Sequence, residues 1–181
     1  NRPNLDFRDF SGTVASGAVA PGDDVVVAHS GKAAKISRVV TADGDLETAR
    51  AGDAVTLVLD REIDIARGDM LADPQQRPEV SDQFAAEILW MTEEEMLPGR
   101  SYLLKAGGQV SPVSVTTLKH KLNVNSFEKE PGKSLKLNEI GVCTLSTSRP
   151  IAFDPYKDQR ETGSFILIDR FTNQTVGAGM I

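Results

Sequence analysis

One cysteine, Cys143, occurs in 181 residues, so no internal disulfide framework can hold the chain together. Such sparing use of cysteine fits a reducing compartment, and the cytoplasm is the expected location. Histidine is almost as scarce: His29 and His120 are far apart and neither sits in a cluster with ligand spacing, which argues against a zinc site. No apolar run approaches the roughly 18 residues that a membrane helix needs. The start, Asn1-Arg2-Pro3-Asn4, has neither an initiator methionine nor signal-peptide character, and the apolar stop Gly177-Ala178-Gly179-Met180-Ile181 looks cut. The chain is therefore expected to be a segment of a longer polypeptide.

Familiar catalytic motifs are missing as well. There is no Gly-x-Ser-x-Gly elbow. A phosphate-binding loop needs an earlier glycine and a Ser or Thr after the lysine, whereas Gly31-Lys32 has Ala33 after it, so this pair is a turn. Asp9-Phe10-Ser11-Gly12 fits the short Asp-x-x-Gly pattern that GTPases place near a γ-phosphate. Without the loop and the guanine-reading Asn-Lys-x-Asp motif it reads as a strand start. Cys143 lies in an apolar run, where a buried structural thiol is expected rather than a nucleophile.

What the chain does have is 40% hydrophobic residues, ample for one large or two small domains, and a net charge of −6 that is unevenly placed. Residues 1–82 hold 15 acids against 9 bases, and residues 83–181 hold 11 against 11. Twelve of those 15 acids are Asp, the acid best suited to turns. An acidic first half also disfavours nucleic acid, whose phosphates need Lys and Arg. Three Gly-Asp corners, Gly22-Asp23, Gly52-Asp53 and Gly68-Asp69, each precede an apolar run. Phe10 to Val27 reads as a hairpin turning at Pro21-Gly22, Ala34 to Val40 alternates like a half-buried strand, Ala54 to Leu59 is apolar throughout, and Ile63 and Ile65 continue at period two. The polar, proline-bearing stretch Asp73 to Pro78 cannot sit inside a sheet and marks a domain break.

In the second half Phe84 to Met91 is contradictory. Ala, Glu, Leu and Met favour helix, yet Phe84, Ile88 and Trp90 share one face of a strand. Glu93 to Glu95 reads as a surface turn. Strands are expected at Tyr102 to Lys105, Val113 to Leu118 and Lys121 to Val124, with an exposed loop at Glu128 to Lys133. Ile140 to Ser146 and Pro150 to Phe153 read as two strands broken by a proline turn, and Gly163 to Asp169 pairs with Thr175 to Ile181. The only basic concentration is Lys119-His120-Lys121 with Lys129, Lys133 and Lys136 nearby. Two readings stay open: a strand edge guarded by lysines, or a docking patch for an acidic partner or a nucleotide. Arg160 to Gly163 is likewise either a polar turn or part of an interface. The sequence-derived fold class is all-β, two consecutive small antiparallel β-barrels covering 1–78 and 79–181.

These segments together resemble the second and third domains of elongation factor Tu-like GTPases, a translation-factor barrel followed by that family's C-terminal barrel. Longer motifs are more specific. Asn1-Arg2-Pro3-Asn4-Leu5-Asp6-Phe7-Arg8, Leu122-Asn123-Val124-Asn125, Leu137-Asn138-Glu139-Ile140-Gly141 and Arg160-Glu161-Thr162-Gly163-Ser164-Phe165-Ile166-Leu167-Ile168-Asp169 resemble the large, GTPase-bearing CysN-type subunit of bacterial sulfate adenylyltransferase. The resemblance implies a part in sulfate assimilation, in which a small catalytic subunit joins sulfate to the AMP part of ATP while the large subunit hydrolyses GTP. It implies that GTP and Mg belong to an N-terminal domain outside this sequence, so this segment holds no cofactor or catalytic residue. It further implies as partners the small subunit, the GTPase domain of the same chain and, in some members, a fused adenylylsulfate kinase domain. Lys119, His120, Lys121 and Arg160 are the residues expected at a partner interface. It also decides Phe84 to Met91 in favour of a strand. The competing expectation is a translation-type module that binds tRNA or ribosome.

Overall fold

The computed structural model describes residues 9–126 and 128–181. The Asn1 to Arg8 motif of the resemblance lies outside the described residues. Among these, every regular element is a β-strand, and the chain divides into two compact units between Pro78 and Glu79.

The first unit contains β1 (Asp9–Thr13), β2 (Ala18–Val19), β3 (Asp24–Val27), β4 (Ala33–Thr41), β5 (Gly44–Leu46), β6 (Ala49–Arg50), β7 (Ala54–Leu59) and β8 (Leu71–Ala72). All its ladders are antiparallel, in the order β1-β7-β4-β3-β8, with β5 on β4 and a separate β2–β6 pair. Val25, Ile36, Val39, Ala49 and Val55 form one buried cluster, to which strands of both sheets contribute. The expected hairpin at Phe10 to Val27 is not formed. β1 pairs with β7, β2 with β6, and β3 with β4 and β8, because the turn at Pro21-Gly22 returns the chain to a partner later in sequence. Ile63 and Ile65 are also not a strand; Ile63 is buried beside Val27 and Ala34 in a small second cluster.

The three Gly-Asp corners share one construction. In each, the Asp N–H donates to the carbonyl three residues earlier: Asp23 to Ala20 (3.2 Å), Asp53 to Arg50 (2.9 Å) and Asp69 to Ala66 (3.0 Å). Its carboxylate accepts from the N–H of that same residue at 2.8 Å in all three. The intervening glycines have φ of 96°, 96° and 93°, which a type II turn requires at its third position. Asp60 similarly accepts from the Lys35 N–H (2.8 Å) beside the register shift in β4. Turn and strand-end chemistry thus occupies four of the Asp residues of the acidic first half.

The second unit is a closed barrel. Its strands are β9 (Glu79–Trp90), β10 (Ser101–Ala106), β11 (Gln109–Leu122), β12 (Lys129–Glu130), β13 (Ile140–Phe153), β14 (Ser164–Asp169) and β15 (Thr175–Met180). The order β10-β14-β15-β9-β13-β11 closes through β10–β11 pairing, with β12 added to the end of β11. Phe84, Ala86, Ile88 and Trp90 point inward from β9, confirming the strand against local helix propensity. Phe84 packs against Phe153 and Phe165, and Trp90 against Tyr102. Met96 and Leu135, both fully buried, bridge across one end. Three expectations need correction. Val113 to Leu118 and Lys121 to Val124 belong to one bulged strand ending at Leu122, the Pro150 break is a register shift within β13, and the charged loop at Glu128 to Lys133 contains β12.

The β14–β15 turn is as expected, with Asn173 at φ 58°. Asp169 organises it, accepting from the N–H groups of Phe171 and Thr172 at 2.9 Å and from Arg100 at 2.8 Å. Those backbone donors, with a further contribution from Arg100, hold its carboxyl below the ordinary range although burial opposes them. Stability from this group is present above the unfolded-state pKa of about 3.9 and is lost as pH falls through the lower folded value. Asp169→Asn is therefore expected to melt below wild type at neutral pH, with the gap narrowing from about pH 4 downward, as followed by thermal melts across pH 2–7. At the other end of the barrel, a Cβ on Gly163 would lie 2.5 Å from the Tyr156 backbone. Gly163→Ala is expected to lower stability by roughly 1–3 kcal/mol, seen as a lower urea midpoint at unchanged m-value.

Candidate docking surface on the second barrel

Cross-strand partners share a face, so the register fixes which side chains line the outside of the barrel. One outward row runs Leu122, Ile140, Leu89, Ala178, Ile166 and Lys105. The next runs His120, Val142, Glu87, Met180 and Ser164. Leu89 and Met180 are 38% and 39% exposed, so apolar side chains of this wall meet solvent. A groove of about 530 Å³ lies on it, lined by Leu89, Lys105, Tyr156, Ile166, Ala178 and Met180.

The four residues singled out from sequence separate here. β11 shifts register between Val115 and Thr117 and again between Leu118 and His120, so Thr116 and Lys119 are the extra residues of two bulges. Leu118 packs against the core, and the second bulge leaves both Lys119 and His120 outward. Lys121 lies opposite Gly141 and Ile88 on the inner side, where its ammonium reaches Glu139 at 2.6 Å. Desolvation pushes the Glu139 carboxyl up, but Lys121 and the Lys136 N–H together outweigh it and hold the group below its usual range. Lys121 is thus a fixed structural cation. Arg160 is exposed and sits over the Tyr156 ring at 6.0 Å, at the edge of the groove. Among the described residues β11 pairs with β10 over Gln109–Ser114 and with β12 at Lys121 and Leu122, so around Lys119 and His120 its ladder partner is β13 alone, as at a lysine-guarded edge.

Sequence reasoning missed Lys105, Tyr156, Leu89 and Met180. A signal was present in Ile88 to Met91 and Phe165 to Ile168, which are apolar at consecutive positions and so cannot hide both faces in one core. Burial pushes the Cys143 thiol up to about 12, making it inert at neutral pH. Asp9 begins β1 opposite Val58. Among the described residues no group of three or more His, Cys, Asp or Glu is placed to hold a metal ion, and no helix is long and apolar enough to cross a membrane.

The chain is 60% identical over all 181 residues to the bifunctional enzyme NodQ of Rhizobium sp. (strain N33), covering 28% of that protein. It is 58% identical to NodQ of Azospirillum brasilense, covering 29% of it. Against sulfate adenylyltransferase subunit 1 of Aliivibrio fischeri (strain MJ11) it is 51% identical over its full length, covering 38% of that subunit. The chain thus spans about a third of the length of these curated relatives. A structure of Sup35 complexed with GDP superposes on 95% of the chain, and on 43% of its own, with a TM-score of 0.85 at 22% identity, a likeness of fold. The family described as GTP-eEF1A C-terminal domain-like matches residues 83–181, the barrel that carries the groove. The chain belongs to the GTP-eEF1A C-terminal domain-like family.

Proposed function

We propose that the chain is the non-catalytic two-barrel segment of the GTP-hydrolysing subunit of a sulfate adenylyltransferase, which forms adenylylsulfate and pyrophosphate from ATP and sulfate. The observation that carries this reading is the 51% identity to sulfate adenylyltransferase subunit 1 along the entire chain. The role of the segment is to dock the small catalytic subunit and to transmit the nucleotide-dependent movement of a GTPase domain. GTP and Mg belong to that domain, and the setting is the cytoplasm. The bifunctional NodQ relatives favour a parent polypeptide that also carries a second activity, of which an adenylylsulfate kinase domain is the proposed form.

The physical character of the segment suits this role. A closed barrel packed around five large aromatic rings moves as a body, and its reactive groups are committed: Cys143 is buried and Lys121 is tied to Glu139. An acidic first half and a charge-balanced second half offer little to nucleic acid phosphates. Sedimentation of the chain mixed with the small catalytic subunit is expected to show a complex, while the chain alone turns over neither GTP nor ATP with sulfate. No association, together with salt-sensitive binding of RNA, would replace this reading with a translation-type one.

A further inference from the structure

Away from the exposed Glu79, Asp82 and Arg149 at one end of β9 and β13, the outer wall of the second barrel has an unusual composition for a solvated sheet face. An antiparallel sheet with one free face ordinarily alternates apolar-in with polar or charged-out. A quarter of this chain is charged. Yet along the outward positions of 83–90, 101–106, 109–122, 140–146, 164–168 and 175–180, Glu87 is the one carboxylate among the described residues, and Lys105 and Lys119 are the only ammonium groups. Small, hydroxyl and branched apolar side chains fill most of the remainder, beside Gln83, His120 and Met180, and Ala85, Thr144 and Thr117 form a third row. Depletion of charge at the centre, more than hydrophobicity itself, is what distinguishes a protein-contacting patch from ordinary surface.

The cations are placed at the margins, and Glu87 stands alone on the central strand β9. Lys119 and His120 stand on β11 and Lys105 on β10, with β13, β9, β15 and β14 between them. Five strand spacings separate these margins, about 24 Å around the wall. Arg160 over Tyr156 adds a cation at the groove. We infer that this wall is the docking face for the small catalytic subunit, which presents an apolar ridge to the row Leu122, Ile140, Leu89, Ala178 and Ile166, and carboxylates to Lys105, Lys119 and Arg160. The inference rests on the function proposed above and adds which surface is used. The sign of the margins selects a protein surface with an acidic rim, and so few cations spaced so widely do not suit a polyphosphate.

The test is the affinity of the small catalytic subunit for the chain, measured by calorimetry alongside sedimentation of the chain by itself. Leu89→Lys with Met180→Lys places two cations in the centre of the wall at exposed positions, and Ala85→Arg adds bulk and charge in the third row. The double variant is expected to weaken binding roughly 100-fold and Ala85→Arg about tenfold, as unpaired buried cations and added bulk do at an interface centre. Phe171→Ser, in the β14–β15 turn, is expected to bind within about twofold of wild type. Cooperative melting of each variant shows that it is folded, and Ala85→Arg decides if the double variant is not. Folded wall variants that bind like wild type overturn the inference and leave the proposed function standing. A wild-type chain that does not bind at all overturns both. A wild-type chain that dimerises alone, and loses the dimer on the same substitutions, replaces the small subunit with a second copy as the occupant.

Discussion

The pairing of β10 with β11 is the constraint on which the second unit depends. It joins Ser101 through Ala106 to Ser114 through Gln109 and converts a six-stranded sheet into a ring. A ring has no free edge, so every strand must satisfy two neighbours and every side chain must be inside or outside. The inside is filled by Trp90, Tyr102, Phe84, Phe153 and Phe165 with aliphatic partners. β11 must serve β10 along its first half and β13 along most of its length, and it meets that demand by inserting Thr116 and Lys119. Those two insertions re-aim the side chains that follow. The exposure of Lys119 and His120 is thus a by-product of closure, as is the inward turn of Lys121 to Glu139.

The first unit is held differently. Its strands are short, and its corners are stiffened by the same reciprocal arrangement used three times, an Asp bonded by both backbone and side chain to the residue three positions back. The corners occupy three of the 15 acids of residues 1–82, and Asp24, Asp45, Asp60 and Asp64 pair instead with Lys35, Arg38, Arg61 and Lys32. The second unit relies on aromatic packing and closure.

Fold class was legible in the sequence because turn chemistry is local. Gly22, Gly52 and Gly68 announce their corners through residues within four positions, and alternation shows in Ala34 to Val40. Strand partners were not legible for the opposite reason. β1 finds β7 about 45 residues away, as the Ser11–Thr56 hydroxyl contact illustrates, and nothing near Phe10 specifies that choice. β9 misleads local reasoning because Ala85 and Leu89 share its outer face with Gln83 and Glu87, which blurs the alternation that would betray its period. The candidate surface was half legible. Lys119, His120 and Arg160 stand out as cations in the sequence, but which way each points depends on a bulge and on a ring contact with Tyr156 that spacing cannot reveal.

Closure, bulges and a charge-poor wall converge on one claim, that the second barrel presents its outer face over β9, β13, β14 and β15 to a protein partner. Methyl-resolved NMR of the labelled chain, titrated with unlabelled small catalytic subunit, tests it most directly. The account predicts that the methyl signals of Leu89, Ile140, Ile166 and Met180 shift or broaden while those of the inward Leu104 and Leu145 hold their positions. Perturbations confined to the first unit or to the loops at the barrel ends, with the wall methyls unmoved in a formed complex, would contradict it.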